Sequence, residues 1–259
     1  MELHNKIAVV TGGGRGIGRA IALAYAREGA DLVLAARSIE ALNETRAAVE
    51  SLGRKALVVP ADVRHEESVH DLAEQALGHL GRVDVLVNNS GIGGPTAPLW
   101  EITPADWLET FAVNVTGIYL CCRAFLPSMI ERRSGCIVII GSMTGKRPLF
   151  GRTPYAASKM ALVGLARTLA WEVGSYDIRV NVISPGGVEG ERIEWVIRKQ
   201  AEAKGISLDE ARRQFTSSSP LGRLIPPDDV AAAAVFLASD RAASITGEDL
   251  NVSAGTVMY

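Results

Sequence analysis

Residues 7–18 read Ile7-Ala8-Val9-Val10-Thr11-Gly12-Gly13-Gly14-Arg15-Gly16-Ile17-Gly18, and the order of chemistry in that stretch decides the fold. A short, wholly apolar run suits a strand covered on both faces. The glycines after it let the backbone turn tightly and approach a ligand with no Cβ in the way. A helix opening at the end of the loop offers free N–H groups and the positive end of its dipole to an anion, and Gly18 would let that helix pack close to the sheet. A glycine run alone says little, since loops are glycine-rich. Placed after a first strand and before a helix, it points to the pyrophosphate of a dinucleotide. The expected contacts here are Gly12, Gly14, Arg15, Gly16, Ile17 and Gly18.

Outward from this loop the alternation repeats to the end of the chain. Apolar strand segments are predicted at 7–10, 32–35, 56–59, 83–87, 136–140, 179–183 and 249–252, and helices near 16–29, 39–52, 66–80, 104–132, 154–175 and 227–239. Repeated strand–helix–strand units imply an α/β fold, a doubly wound parallel sheet with right-handed crossovers and helices on both faces. No Pro/Ser/Gly-rich linker divides the 259 residues, so one domain over 1–259 is expected. The break in rhythm at 187–226 reads as a helical substrate lid. Its Arg198, Lys199, Lys204, Arg212 and Arg213 alternate with Glu194, Glu202, Asp209 and Glu210, the pattern of a solvated amphipathic helix.

Composition narrows the class. Hydrophobic residues are 47%, charged residues 22% and the formal net charge is -2, with no basic stripe to favour nucleic acid as a partner. Cys121, Cys122 and Cys136 form no metal-ligand spacing, so no metal is expected. Their odd number and the adjacency of two of them favour a reducing compartment. The opening residues run straight into a strand with no room for a signal peptide. Uninterrupted apolar runs such as Ala231–Ala238 are too short for a bilayer. A cytoplasmic protein is expected.

The end of the second strand bears on which dinucleotide binds. NAD sites place a carboxylate there, against the ribose hydroxyls. This chain reads Ala35-Ala36-Arg37-Ser38, with Ala36 where the acid would stand. Arg37 and Arg15 either meet a 2′-phosphate or are solvated surface side chains. The missing acid favours NADP, with NAD the alternative.

The reacting groups are sought in Tyr155-Ala156-Ala157-Ser158-Lys159. This spacing puts Tyr155 and Lys159 on one helical face, a turn apart. A phenol titrates near ~10 and is a poor base at neutral pH; a neighbouring ammonium lowers that value and could also reach the nicotinamide ribose. Ser142 ends the fifth strand, at the carboxyl edge where parallel sheets bind ligands. Asn114 lies within the predicted helix 104–132. Its side chain needs polar partners, either a water leading to Lys159 or a neighbouring backbone.

Taken together, the T-G-x-x-x-G-x-G loop and the ordered Asn114, Ser142, Tyr155 and Lys159 resemble the short-chain dehydrogenase/reductase family over nearly the whole chain, from Lys6 to about Gly255. The resemblance implies a Rossmann fold and an enzyme that moves a hydride between a nicotinamide and a ketone or secondary alcohol, similar to 3-oxoacyl reductases. An NAD-dependent dehydrogenase of a polyol, sugar or hydroxy acid is the alternative, and a dinucleotide-sensing binding protein a more distant one. By the same resemblance Tyr155 exchanges the proton, Ser142 polarises the carbonyl, Lys159 tunes Tyr155 and holds the ribose, and Asn114 maintains a water relay. Asp62, with Val63 beside it, takes the place that contacts adenine. Asn88, Ser90 and Gly91 fall where the family has N-N-A-G, here Asn88-Asn89-Ser90-Gly91. Pro185, Gly186 and Val188 border the nicotinamide, but Gly190 stands where the family often has a threonine. The substrate pocket is expected between the strand-end loops and the lid, drawing on Gly93, Gly94, Met143, Thr144, Arg152, Gly187, Arg192 and Trp195 beside Ser142 and Tyr155, with Arg152 suited to an anionic group. The family mostly forms homotetramers, so a homotetramer or homodimer is expected.

Overall fold

The computed structural model describes residues 1–259. The strands are β1 (Ile7–Thr11), β2 (Asp31–Ala36), β3 (Ala56–Pro60), β4 (Val85–Asn88), β5 (Gly135–Ile140), β6 (Ile178–Pro185) and β7 (Asp249–Val252). They form one seven-stranded sheet in the order β3-β2-β1-β4-β5-β6-β7, and every pairing is parallel. The helices are α1 (Gly16–Arg27), α2 (Ile39–Ser51), α3 (Glu66–Leu80), α4 (Pro104–Phe111), α5 (Gly117–Arg132), α6 (Met143–Lys146), α7 (Thr153–Val173), α8 (Glu191–Lys204), α9 (Leu208–Ser217) and α10 (Pro227–Ala238).

Successive strand residues point to opposite faces, which accounts for the unbroken apolar strands. Val9, Val33, Leu86, Ile137 and Val180 pack with Leu72, Phe125, Met129 and Leu162 of α3, α5 and α7. Their neighbours Ala8, Val10, Leu32, Leu34, Val85 and Val138 pack on the other face with Ile21, Tyr25, Leu42 and Leu237 of α1, α2 and α10. The chain winds one way from β1 to β3 and the other way from β4 to β7, so a crevice opens beyond the carboxyl ends of β1 and β4. Ligands bind at this switch point in doubly wound sheets.

The helix expected over 104–132 is not continuous. A π-helical turn, Ala112–Thr116, separates α4 from α5. Asn114 lies in that turn with its side chain bonded to the backbone of Ile92, and Gly117 just beyond has Val63 against its Cα, leaving 2.6 Å between Val63 Cγ2 and any added Cβ. The extra residue of a π-turn lets both contacts form where a straight helix would swing one away. The run 104–132 is long and apolar enough to cross a membrane; Ile118, Leu120, Phe125 and Met129 spend that apolarity on the core.

The stretch 187–226 carries α8 and α9, which share a small core of Ile193, Val196, Ile197, Ala201 and Ala211 joined by Leu149 and Phe215. An ion pair between Arg212 and Glu194 ties the two helices together.

Candidate active site

Side chains from β1, β4 and α1 build the glycine loop. Gly12 and Gly16 have φ of +66° and +53°, the left-handed region that glycine enters without strain. Around Gly16 nothing lies within 4 Å of where a Cβ would be, so the loop presents open space there. Gly18 is crowded: a Cβ would stand 2.2 Å from the Gly12 carbonyl oxygen and 2.5 Å from Asn89 Nδ2. Gly14 faces α2, where an added Cβ would lie 3.0 Å from Ala41 Cβ, so its bareness serves helix packing. Ile17, in the first turn of α1, is partly buried and packs against the core.

The loop is held by two residues the sequence reading did not single out. Asn89 Nδ2 donates to the carbonyls of Thr11 at 2.9 Å and Gly12 at 3.2 Å. Thr11 Oγ1 accepts from the amides of Asn89 and Ser90 at 3.0 and 3.1 Å and donates to Val87 O. The signal was present in the order of the segments: a Thr ending β1 and an Asn pair ending β4 sit on adjacent strands. Asn88, expected at the cofactor, is instead fully buried and turned toward α5, where Nδ2 meets Cys122 Sγ at 3.4 Å. Strand alternation sends Asn88 to one face and leaves Asn89 for the crevice. Likewise Val63 sends its side chain into the core against Gly117, leaving only its backbone for adenine.

Asp62, just past the end of β3, is engaged by Arg64 through Nε at 3.0 and 3.1 Å and Nη2 at 2.5 Å. Those hydrogen bonds hold its carboxyl down at about 2, so it is an acceptor at any working pH. Arg15 and Arg37 are exposed and neither enters an ion pair with an acid. The acid that follows, Glu40, accepts from Ser38 Oγ at 3.0 Å in the first turn of α2.

At the carboxyl end of β5, Ser142 caps α6, its Oγ accepting from Thr144 N at 3.1 Å. One turn into α7, Tyr155 and Lys159 share a face, with Lys159 Nζ 5.9 Å from the Tyr155 ring centroid. Lys159 is 4% exposed and donates to Ile140 O at 2.8 Å, leaving other N–H donors for a ligand. Gly91 forms the wall opposite: a Cβ there would come within 3.2 Å of Asn114 Oδ1 and 3.6 Å of Lys159 Nζ. Asn114 is bonded to a neighbouring backbone and to Ser158. Its Oδ1 accepts from Ile92 N at 2.8 Å, while Nδ2 donates to Ile92 O and Ser158 Oγ, both at 3.0 Å.

Burial would push the Tyr155 phenol up, but Arg192, Lys159, a hydrogen bond with Ser142 and Arg152 together outweigh it and bring the phenol down to about 8. Burial likewise brings Lys159 down to about 8, against the pull of Tyr155. A phenol brought toward neutrality beside a hydroxyl and an ammonium can exchange a proton with a substrate oxygen.

Of the expected pocket residues, Arg152 and Arg192 stand over the Tyr155 ring at 4.9 and 5.4 Å, and Arg152 also faces the Trp195 ring at 5.7 Å. Thr144 and Met143 line a cavity of about 120 Å³ between α6 and the α8–α9 pair, with Arg147, Leu149, Gln200 and Phe215. At Gly187 and Gly94 the Cβ direction is filled by the chain itself: added Cβ atoms would meet Phe215 at 2.4 Å and Thr110 Oγ1 at 2.6 Å. Gly186 is packed against Ile225 and Ser253 in the same way. Pro185 ends β6, and Val188 pairs with Ile225 in an isolated bridge. Gly190 has φ +129° and ψ 177°, a conformation essentially reserved for glycine, so the backbone at this point takes a path that a threonine would resist.

A family model described as enoyl-(acyl carrier protein) reductase matches residues 12–257. The chain belongs to the short-chain dehydrogenase/reductase family. It is 34% identical to the 7alpha-hydroxysteroid dehydrogenase of Escherichia coli (strain K12) over 257 residues, covering 99% of this chain and 96% of that one. It is 37% identical to a 3-oxoacyl-(acyl-carrier-protein) reductase of Chlamydia muridarum, covering 98% of both. Among solved structures, NAD+-bound xylitol dehydrogenase superposes with a TM-score of 0.96 at 30% identity, covering 98% of this chain and 100% of the other. A single-substitution variant of actinorhodin polyketide ketoreductase with NADPH superposes at 0.94 with 33% identity, covering 98% of each. This short-chain dehydrogenase/reductase is a hydride-transferring oxidoreductase acting on ketone and alcohol groups with a nicotinamide cofactor.

Proposed function

We propose that this enzyme works with NADP(H), reducing a ketone to a secondary alcohol, with Tyr155, Ser142, Lys159 and Asn114 as its working set. The observation that carries the cofactor choice is the end of β2: Ala36 offers no carboxylate to repel a 2′-phosphate, and Arg37 beside it has no acidic partner. The relatives divide, one structure holding NAD+ and another NADPH, so the choice rests on these residues.

When bound, the nicotinamide supplies or accepts the hydride. The chain's residues do the rest. The Gly16 turn and the N-terminus of α1 receive the pyrophosphate; Lys159 offers its spare N–H donors to the ribose. Tyr155 gives a proton to the substrate oxygen while Ser142 holds that oxygen, and Lys159 stabilises the phenolate left behind. Asn114 is a positioning residue: by fixing Ile92 and Ser158 it sets the wall around Lys159. The α8–α9 pair closes the pocket as a lid on a single domain of 1–259.

The cofactor test is steady-state kinetics with both dinucleotides. Arg37→Ala is expected to lower kcat/KM for NADPH by roughly 10- to 100-fold, the worth of a hydrogen bond to a charged group, and to leave NADH little changed. Ala36→Asp should shift preference toward NADH. A wild-type enzyme with higher efficiency for NADH would overturn the choice.

Buried, unbridged Cys121, Cys122 and Cys136 suit a reducing, cytoplasmic setting. Assembly as a homotetramer or homodimer is supported by Trp171 and Trp100, exposed at 91% and 83%, since large apolar groups in the open commonly mark contact surfaces.

A further inference from the structure

Arg152 is a charge without a counter-charge. It is 2% exposed, yet its guanidinium meets only neutral acceptors: Nη1 donates to Thr96 Oγ1 at 3.1 Å and Nη2 to Gly93 O at 2.8 Å. Nε is buried with no partner at all. The other well-buried cation outside the site, Lys146, has its acid, Asp249, at 2.8 Å. A buried charge with no opposite charge is costly, and burial accordingly lowers the pKa of Arg152.

Nor does it stand alone. Arg152, Arg192 and Lys159 all lie within 6 Å of the Tyr155 ring centroid, at 4.9, 5.4 and 5.9 Å, and no ion pair in the chain involves any of them. The phenolate form of Tyr155 offsets one of those charges. A cluster of cations of this kind, with buried Arg152 set against the Tyr155 and Trp195 rings and exposed Arg192 at its edge, favours an anion on the substrate. Two of the five guanidinium N–H donors are used by Thr96 and Gly93, and a planar carboxylate fits the fork that remains.

We propose that Arg152, backed by Arg192, binds a carboxylate of the substrate, so that the compound reduced is an oxo acid and the product a hydroxy acid. This rests on Tyr155 being the group that exchanges the proton. Arg152 is then a specificity-determining residue, separating acids from neutral ketones of the same shape. Trp195, on α8 and 37% exposed, is the side chain an entering acid would move.

The experiment compares 2-oxobutanoate, 3-oxobutanoate and 4-oxopentanoate with their methyl esters, using the whole enzyme with saturating NADPH and, separately, NADH. At least one acid should exceed its own ester in kcat/KM by on the order of 10- to 100-fold, mainly through KM, the discrimination a charge-assisted pair supplies. Arg152→Met should erase that ratio, the acid losing far more than its ester, while holding the cofactor KM within about threefold; Arg152→Lys should restore part of it. Wild-type enzyme that handles every ester as well as its acid would overturn the proposal, and this comparison needs no variant to fold. Equal losses for acid and ester in Arg152→Met would assign the side chain to tying Thr96 and Gly93 together, and overturn it too. Arg192→Ala that raises the cofactor KM alone would remove Arg192 from the acid site and overturn that part. Absence of turnover for every ketone, or turnover unchanged in Tyr155→Phe, would instead defeat the underlying assignment of the reacting centre; Tyr155-dependent turnover that prefers esters defeats this inference only.

Discussion

Tyr155→Phe should cut kcat/KM by roughly a hundred- to ten-thousand-fold, the usual range for losing a positioned acid or base. The change removes one oxygen and keeps the ring, so the stacking of Arg152 and Arg192 over it at 4.9 and 5.4 Å is retained and the fold should not suffer. Dinucleotide affinity should hold within a few-fold, since the loop and Lys159 are untouched. The pH profile gives the same assignment a second readout. With the phenol down at about 8, ketone reduction needs the protonated form: its rate should be level below that pH and fall above it. Alcohol oxidation needs the phenolate and should rise through the same region to a plateau. Whatever activity survives in Tyr155→Phe should lose the phenol's part of this inflection, Lys159 being the other group lowered to about 8. A variant that keeps both full rate and inflection would remove Tyr155 from the chemistry.

Gly18→Ala should weaken dinucleotide binding by more than tenfold and lower stability by about 1–3 kcal/mol, the cost of forcing a methyl into a packed site. The added Cβ would lie 2.2 Å from the Gly12 carbonyl oxygen and 2.5 Å from Asn89 Nδ2, and the first of these contacts is backbone and cannot step aside. Either α1 lifts away from the loop or the Asn89 tie to Thr11 and Gly12 breaks. Isothermal titration with NADPH and thermal melts would measure both. Gly16→Ala differs in cause: no atom of the chain crowds it within 4 Å, so its stability penalty comes from φ +53°. Its methyl would point into the space left for the pyrophosphate, so affinity should fall as well. Equal affinities for Gly18→Ala and wild type would show that the loop does not need this close approach.

Much of this could be read from the chain because the strands are unambiguous. Residues such as Val9 and Val10 face opposite cores, so both had to be apolar, and the runs stand out. The Tyr155–Lys159 pair was legible for a similar reason: helical spacing fixes the shared face. What sequence could not supply was direction. Asn88 and Asn89 are adjacent and chemically identical, and only the strand's phase against its neighbours sends the first to Cys122 and the second to the glycine loop. Gly94 and Gly187 were expected to line the pocket; the side on which each lacks a Cβ is filled by Thr110 and Phe215, because a bare Cα announces closeness without saying to what. The π-turn at Asn114 was hidden as well. Helical periodicity in the sequence tolerates one extra residue, and the bonds to Ile92 that stabilise it come from a distant segment.

The ion pair between Lys146 and Asp249 has an effect beyond local balance. Asp249 opens β7, the outermost strand, and Lys146 closes the short helix that Ser142 caps. Nζ of Lys146 also reaches Asn251 at 2.7 Å, and Tyr259 donates its hydroxyl to Lys146 O at 3.0 Å. The hydroxyl that would grip the substrate oxygen is therefore moored to a rim of the sheet, where local opening comes first. On warming, turnover should fade before circular dichroism registers any loss of helix.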